Sequence, residues 1–113
     1  MSFGRFNSYN IMWLIVMFDM PVVTKIERKR AARFRKNLLK LGFSMMQYSV
    51  YTRHCMSLES AEVYKKKVKA IIEEKGDVKI LMITDKQIEK MEVFFGRTQY
   101  TFPLDSKKQL ELF

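Results

Sequence analysis

The sequence predicts a single α+β domain built around an antiparallel sheet. Short runs rich in β-forming residues alternate with two longer amphipathic stretches, and the 113 residues are 48% hydrophobic, enough for one core. The elements follow the order β-α-β-β-α-β, with a short C-terminal helix and strand extension. This order is the split β-α-β, ferredoxin-like arrangement, in which both helices pack on one face of the sheet. We expect residues 1–113 to form this one domain, with residues 1–9 as a loose N-terminal tail.

The first predicted strand is the run IMWLIVMF, residues 11–18, which ends just before Asp19. It is too short for a typical helix, and Pro21 follows within three residues. Both of its faces are apolar, which is typical of a strand covered on both sides. Because two helices on one face cannot supply the second cover, we expect a homodimer that packs the open sheet faces together, with Trp13 in the interface.

Boundary signals place the other elements. A capping box formed by Thr24 and Glu27 opens the first helix, and Gly42 is a natural stop for it. The remaining elements are expected in this order: two strands over residues 43–55 with a tight hairpin near residues 47–49, a second helix over 57–75, a fourth strand over 78–84, a short helix over 84–91 and an extended stretch over 93–95.

The net charge of +9 is concentrated in the first helix. From Thr24 to Lys40 there are eight basic residues and one acid, Glu27, so this segment carries seven of the nine net charges. Solvated faces usually mix signs, so we expect a polyanion partner, with nucleic acid first and an anionic membrane surface second. The membrane alternative is weaker because the apolar stripe of the helix is narrow. The predicted nucleic-acid-binding residues are Lys25, Arg28, Lys29, Arg30, Arg33, Arg35, Lys36 and, on a later strand, Arg53.

Several other kinds of site are disfavoured. His54 and Cys55 are the only histidine and cysteine, which argues against a zinc site, a catalytic triad or an internal disulfide. No glycine-rich phosphate loop is present, and no run approaches the roughly 20 apolar residues of a membrane span. One cysteine and nine methionines fit a reducing, cytoplasmic location.

Asp19 is the one candidate for metal chemistry. It stands at the end of the most apolar segment, beside the loop into the basic helix. One interpretation is a turn residue whose carboxylate accepts hydrogen bonds from backbone N–H groups. The other is a ligand of Mg²⁺, which prefers an octahedral shell of oxygen atoms. A single carboxylate is a poor site, but a two-fold dimer could bring two copies of Asp19 together.

Three segments together resemble the CRISPR-associated Cas-two family. They are LIVMFDMP in the first strand, ERKRAARFRKNLLKLGFSMMQYSVYTR after it, and GDVKILMITDKQIEKMEVFFG near the end. The resemblance covers residues 11–96 and looks closest to members from type II systems. It implies a ferredoxin-like homodimer that scaffolds the Cas-one integrase during spacer acquisition, with the captured double-stranded DNA running across the dimer.

The resemblance also implies roles for individual residues. Asp19 matches the family's proposed metal-binding residue, and members have been assigned metal-dependent endoribonuclease or DNase activity. A nuclease built on Asp19, including a toxin-like ribonuclease of the same fold, is therefore the alternative function. Within the C-terminal extension, residues 97–113, the segment 109–113 corresponds to a strand that joins the partner protomer's sheet and helps to meet the integrase. The predicted partner contacts are Trp13, Tyr51, Leu110 and Leu112.

Overall fold

A computed structural model describes residues 11–102 and confirms the predicted α+β fold. The predictions for residues 1–9, Leu110 and Leu112 lie outside the described residues. No helix within residues 11–102 combines the length and apolar character needed to cross a membrane. The elements are β1 (Met12–Asp19), α1 (Lys25–Lys40), β2 (Ser44–Gln47), β3 (Val50–Cys55), α2 (Leu58–Ala70), β4 (Asp77–Thr84), α3 (Asp85–Ile88), β5 (Glu92–Phe95) and β6 (Thr98–Thr101).

The main sheet has the strand order β2-β3-β1-β4, and every neighbouring pair is antiparallel. The apolar strand β1 therefore lies in the middle, as its two apolar faces require. It pairs with β4 along its whole length, from Met12 opposite Thr84 to Asp19 opposite Asp77. This register places the end of β1 directly beside the start of β4.

The main core lies between the sheet and the two long helices. Leu14, Val16 and Phe18 of β1 pack against Phe34 and Leu38, which belong to the predicted apolar stripe of α1. The rings of Phe18 and Phe34 meet edge to face with their centroids 4.9 Å apart. Burial of each large side chain stabilises the fold by about 2 kcal/mol, so this layer fixes α1 on the sheet.

The chain itself covers part of the second sheet face, which corrects the expectation that only a partner could do so. Ile15 is only 8% exposed, because Ile88 of α3 and Phe102 pack over it. The sequence pattern did not reveal this, since α3 has a single buried side chain. Leu81, which lies opposite Ile15 on β4, remains 45% exposed, so the uncovered part of this face is on the β4 side.

Two element boundaries differ from the predictions. Helix α2 ends at Ala70 instead of residue 75, and Lys75 takes a left-handed backbone conformation with φ +62°. Strand β6 was not predicted; it forms a separate two-stranded sheet with β5. The connection is two residues long and begins at Gly96, whose φ of +61° suits a tight hairpin turn.

Candidate functional site

The basic helix α1 begins at a reciprocal cap. The Thr24 hydroxyl accepts a hydrogen bond from the Glu27 amide at 3.1 Å, and Glu27 Oε1 accepts one from the Thr24 amide at 2.9 Å. The hydrogen bond from the Thr24 backbone is the main cause that lowers the pKa of the Glu27 carboxyl. This acid therefore stays ionised, and its carboxylate is engaged in the helix cap. The predicted capping box is confirmed, and it starts the basic face at Lys25.

Two of the predicted nucleic-acid-binding arginines are held by acids from the segment after α2. Arg33 donates from Nε and Nη2 to Glu73 at 2.7 and 2.6 Å, and Arg30 lies 3.4 Å from a carboxylate oxygen of Glu74. The hydrogen bonds from Arg33 lower the pKa of Glu73, which keeps the acid ionised. These two guanidinium charges are therefore already compensated within the chain.

The other two arginines of α1 contact the chain's own backbone. Arg28 Nη1 donates to the carbonyl groups of Val23, at 2.7 Å, and Val22, at 3.2 Å. Arg35 donates to the Tyr48 carbonyl, and its guanidinium carbon lies 3.6 Å from the centroid of the Tyr48 ring. Both arginines keep their charge, but part of their donor capacity is used in folding.

The lysines of α1 are the uncommitted cations. At 100° per residue, four of them fall within a sector of about 60° opposite the buried stripe, spread over about 22 Å of helix. All four are exposed, and none forms an ion pair or hydrogen bond with any residue between 11 and 102. We call this set the lysine row: Lys25, Lys29, Lys36 and Lys40. Lys40 was missing from the predicted set, although its position on the helix could have included it.

Arg53 contributes to the structure around the end of α1. Its Nε donates to the Leu41 carbonyl at 2.8 Å, and its guanidinium carbon lies 3.5 Å from the centroid of the Tyr64 ring. These contacts join α1, β3 and α2 at one point. They favour a structural role for Arg53 over the predicted contact with phosphate.

The predicted partner contacts in the described region differ from one another. Tyr51 is 3% exposed and packs against Phe18 on the helix side of the sheet, so the prediction of a partner contact is corrected: almost no surface remains for one. Trp13 lies on the opposite face. Its Nε1 donates to Asp85 Oδ1 at 2.7 Å, and its ring contacts the rings of His54 and Phe102. Much of Trp13 is therefore used within the chain.

Asp19 is exposed at the end of β1, in a cleft of about 290 Å3. The antiparallel register sets Asp77 directly opposite, about 5 Å away between Cα atoms, so both side chains leave the same face. The ammonium of Lys79 lies 2.8 Å from Asp77 Oδ1 and offsets the repulsion between the two like charges. Other lining residues are Met17, Phe18, Ser49 and Val50.

Asp77 is absent from the site residues predicted from the sequence. The signal was available, because a strand order with β4 beside β1 brings the first residue of β4 to the last residue of β1. Asp19 and Asp77 offer carboxylate oxygens, the ligand type that Mg²⁺ prefers, but two carboxylates do not fill an octahedral shell. Within residues 11–102, no group of three or more His, Cys, Asp or Glu side chains is arranged to hold a metal. One chain therefore fits the ion only in part.

Comparison with characterised families gives a consistent result. Residues 12–91 match the family described as CRISPR associated protein Cas2. A CRISPR-associated endoribonuclease Cas2 from Flavobacterium psychrophilum is 45% identical over 114 residues, which cover 98% of this chain and 96% of that protein. The protein of the same name from Parvibaculum lavamentivorans is 49% identical over 102 residues, covering 90% of this chain and all of that protein.

Solved structures support the fold. A crystal structure described as cas2 has a TM-score of 0.54 at 23% identity and covers 84% of this chain and 95% of its own. That of Streptococcus pyogenes Cas2 has a TM-score of 0.52 at 23% identity, with 74% of this chain and 99% of its own covered. With the family match over most of the chain and the two relatives above 40% identity, the chain belongs to the CRISPR-associated protein Cas2 family.

Proposed function

We propose that the protein is a homodimeric, nucleic-acid-binding scaffold of the CRISPR adaptation machinery, on which double-stranded DNA lies while a partner integrase acts on its ends. The observation that carries this proposal is the lysine row of α1. Four exposed ammonium groups on one helix face, none paired with an acid in the described part of the chain, suit a polyanion that offers regularly spaced phosphates.

The dimensions of the row fit a duplex. Its length of about 22 Å spans about six base pairs along one strand of B-form DNA, so several phosphates lie within its reach. Lysine ammonium groups act as mobile point charges and read no sequence. Binding that depends on charge and not on base sequence is what a scaffold for many different captured DNA segments requires.

The dimer is supported by the second sheet face. Leu81 of β4 is exposed in the single chain, and the β5–β6 hairpin presents Phe94 and Phe95 to solvent. Exposed apolar groups of this kind often mark protein contacts. We infer that a second copy of the chain covers the β4 side of the sheet, and that the integrase contacts the ends of the dimer.

A second candidate function is a divalent-metal-dependent endonuclease. The cleft at Asp19 and Asp77 favours it, and both relatives carry the name endoribonuclease. Asp19 would hold Mg²⁺, with a second copy of the chain, water and phosphate completing the ligands. The ion, when bound, would neutralise charge on the phosphate and activate water. Asp77, held by Lys79, would add a further carboxylate beside the site.

The test of the scaffold is the salt dependence of duplex binding. Replacing Lys25, Lys29, Lys36 and Lys40 by Gln should weaken binding and reduce the slope of log K against log salt by about 3 to 4, since each phosphate contact contributes about 0.9. The matched control replaces four exposed lysines elsewhere with the same loss of charge: Lys66, Lys69, Lys86 and Lys90. If both variants lose the same affinity, only net charge matters and α1 is not the interface.

A further inference from the structure

Tyr48 occupies an unusual position at the tip of the β2–β3 hairpin. It is 71% exposed, which is a large exposure for an aromatic side chain. The guanidinium carbon of Arg35 lies 3.6 Å from the centroid of its ring. Since the guanidinium covers one face of the ring, so large an exposure requires the other face to be open.

The ring is also held in place. Arg35 donates a hydrogen bond to the Tyr48 carbonyl, so one guanidinium anchors both the ring and the backbone of this residue. The guanidinium carbon of Arg35 also lies 5.0 Å from the centroid of the Phe18 ring, which belongs to the main core. The next residue, Ser49, accepts a hydrogen bond from the Phe18 amide at 3.0 Å. An exposed aromatic face is thus pre-positioned by buried structure.

We propose that the open face of Tyr48 is a stacking platform for an unpaired nucleobase. Aromatic side chains bind single-stranded nucleic acid by stacking on bases, usually where cations attract the backbone. Both components are present here: Arg35 lies behind the ring, and Lys36 of the lysine row is the next residue on α1. This inference rests on the proposed binding of nucleic acid, and it adds the class of ligand that the tip of the hairpin takes.

Base pairing decides which ligand can use the platform. Inside a duplex, both faces of every base are covered by neighbours, so a protein ring can stack only on an unpaired or terminal base. Tyr48 is next to Ser49, which lines the cleft that contains Asp19. An unpaired strand that stacks on Tyr48 therefore passes beside the carboxylates, whereas a continuous duplex engages only the lysine row.

The experiment compares two substitutions on two nucleic acids. A short single strand containing 2-aminopurine, whose fluorescence is quenched by stacking, is titrated in parallel with a covalently closed circular duplex, which has no terminal bases. Tyr48→Ala should bind the single strand about tenfold more weakly and lose the quenching, since stacking on one aromatic ring has that effect. Tyr48→Phe, which keeps the ring, should behave as the wild type. Duplex binding should stay unchanged in both variants, and thermal unfolding identifies any loss of folding in Tyr48→Ala.

Each contrary result overturns the platform in a different way. Unchanged single-strand binding by Tyr48→Ala excludes stacking, and if self-association weakens instead, Tyr48 is a protein contact. Equal losses in Tyr48→Ala and Tyr48→Phe assign the effect to the hydroxyl group. If Tyr48→Ala unfolds, unquenched 2-aminopurine on the wild type and on Tyr48→Phe overturns the proposal by itself. Failure of the wild type to bind either nucleic acid would remove the proposed function as well, which distinguishes the two failures.

Discussion

Arg33 and Glu73 form a two-point ion pair that joins α1 to the segment following α2. The guanidinium donates from Nε to Oε2 at 2.7 Å and from Nη2 to Oε1 at 2.6 Å. This parallel geometry is the strong form of an arginine–carboxylate contact. It neutralises one arginine of the basic helix, and it ties the segment beyond Ala70, where α2 ends, to α1.

The first prediction concerns the pH dependence of this pair. Its hydrogen bonds lower the pKa of Glu73 below the ordinary value of 4.5, so the stabilisation is present above that value and is lost as the pH falls through the lower, folded-state value. Because the Arg33 side chain is 59% exposed, we expect Glu73→Gln to cost only about 0.5 to 1 kcal/mol near neutral pH.

Urea denaturation of both proteins at several pH values measures this effect. The difference in unfolding free energy should shrink towards zero in acid. Glu74→Gln is the matched control, because Glu74 makes a single, longer contact and is more exposed; it should change little. A difference between wild type and Glu73→Gln that stays constant down to the acid limb would contradict the assigned cause.

The second prediction compares two glycines with left-handed backbone. Gly42 has φ +86°, and a Cβ there would approach Arg53 Nε to 3.0 Å, whereas a Cβ on Gly96, with φ +61°, meets nothing within 4 Å. Gly96→Ala should cost about 1 kcal/mol for the backbone alone. Gly42→Ala should cost clearly more, because it also displaces the guanidinium that holds the Leu41 carbonyl. Thermal denaturation measures the loss of stability in each variant. If Gly42→Ala and Gly96→Ala lose equal stability, the Arg53 side chain moves aside without cost and the prediction is wrong.

Much of the fold followed from local patterns, because each pattern has one dominant cause. The two-sided apolar run indicated a central strand, and the capping box at Thr24 marks a helix start in the structure. Strand β6 and the cover from Phe102 were missed, since both depend on how the chain returns to the sheet. The end of α2 was misplaced because the only marked stop signal was Gly76, whereas the helix ends at Ala70 and the left-handed backbone is at Lys75.

Sequence patterns singled out α1 as the candidate site but could not describe the state of its cations. The net charge is concentrated in this helix, yet sequence cannot show which cations are already paired. Arg30 and Arg33 pair with acids that lie at least 40 positions further along the sequence. No local sequence pattern indicates such contacts. That Asp77 lies opposite Asp19 becomes evident only from the register of β1 and β4. The exposure of Tyr48 follows from its place in the turn between β2 and β3, which residue composition does not reveal.

The third prediction concerns the link between β1 and α3. Trp13 Nε1 donates to Asp85 Oδ1 at 2.7 Å, which holds α3 over the second sheet face. Trp13→Phe keeps an aromatic ring but removes the donor, so we expect a loss of about 1 to 2 kcal/mol in unfolding free energy. Asp85→Asn keeps a carbonyl acceptor and should cost less. Denaturant titrations of Trp13→Phe, Asp85→Ala and the double variant give the coupling, because each of these changes removes one partner; additive losses would show that this hydrogen bond contributes nothing.

The fourth prediction tests the dimer. Leu81 lies on the uncovered part of the second sheet face, so Leu81→Glu should weaken self-association by placing a charge in the interface. Leu58→Glu is the control, because Leu58 is similarly exposed but lies at the start of α2, on the helix side. Sedimentation velocity at micromolar concentration should show a dimer for the wild type and Leu58→Glu and a shift to monomer for Leu81→Glu. A monomeric wild type would remove both the dimer and the shared metal site.

The last prediction separates the scaffold from the nuclease at Asp19. A divalent ion that orients water needs carboxylate ligands, and Asp19 is the carboxylate of the cleft that has no cation partner among residues 11–102. Asp19→Asn should therefore abolish any Mg²⁺-dependent cleavage by the isolated protein. Asp77→Asn changes the net charge equally, but its carboxylate is already neutralised by Lys79, so we expect only about a tenfold loss, as for a residue that supports a metal ligand.

Scaffolding makes no use of the charge on Asp19, because it needs the sheet, the lysine row and the contacts with partners. Asp19→Asn should keep the dimer, the duplex affinity and its salt dependence unchanged. The decisive assay is integration of a duplex by the complex reconstituted with its integrase, using wild-type, Asp19→Asn or lysine-row variant protein. Integration should persist with Asp19→Asn and fall with the lysine-row variant. If instead Asp19→Asn folds, dimerises and binds the integrase while integration collapses, the carboxylate has a chemical role in the reaction and the scaffold proposal is wrong.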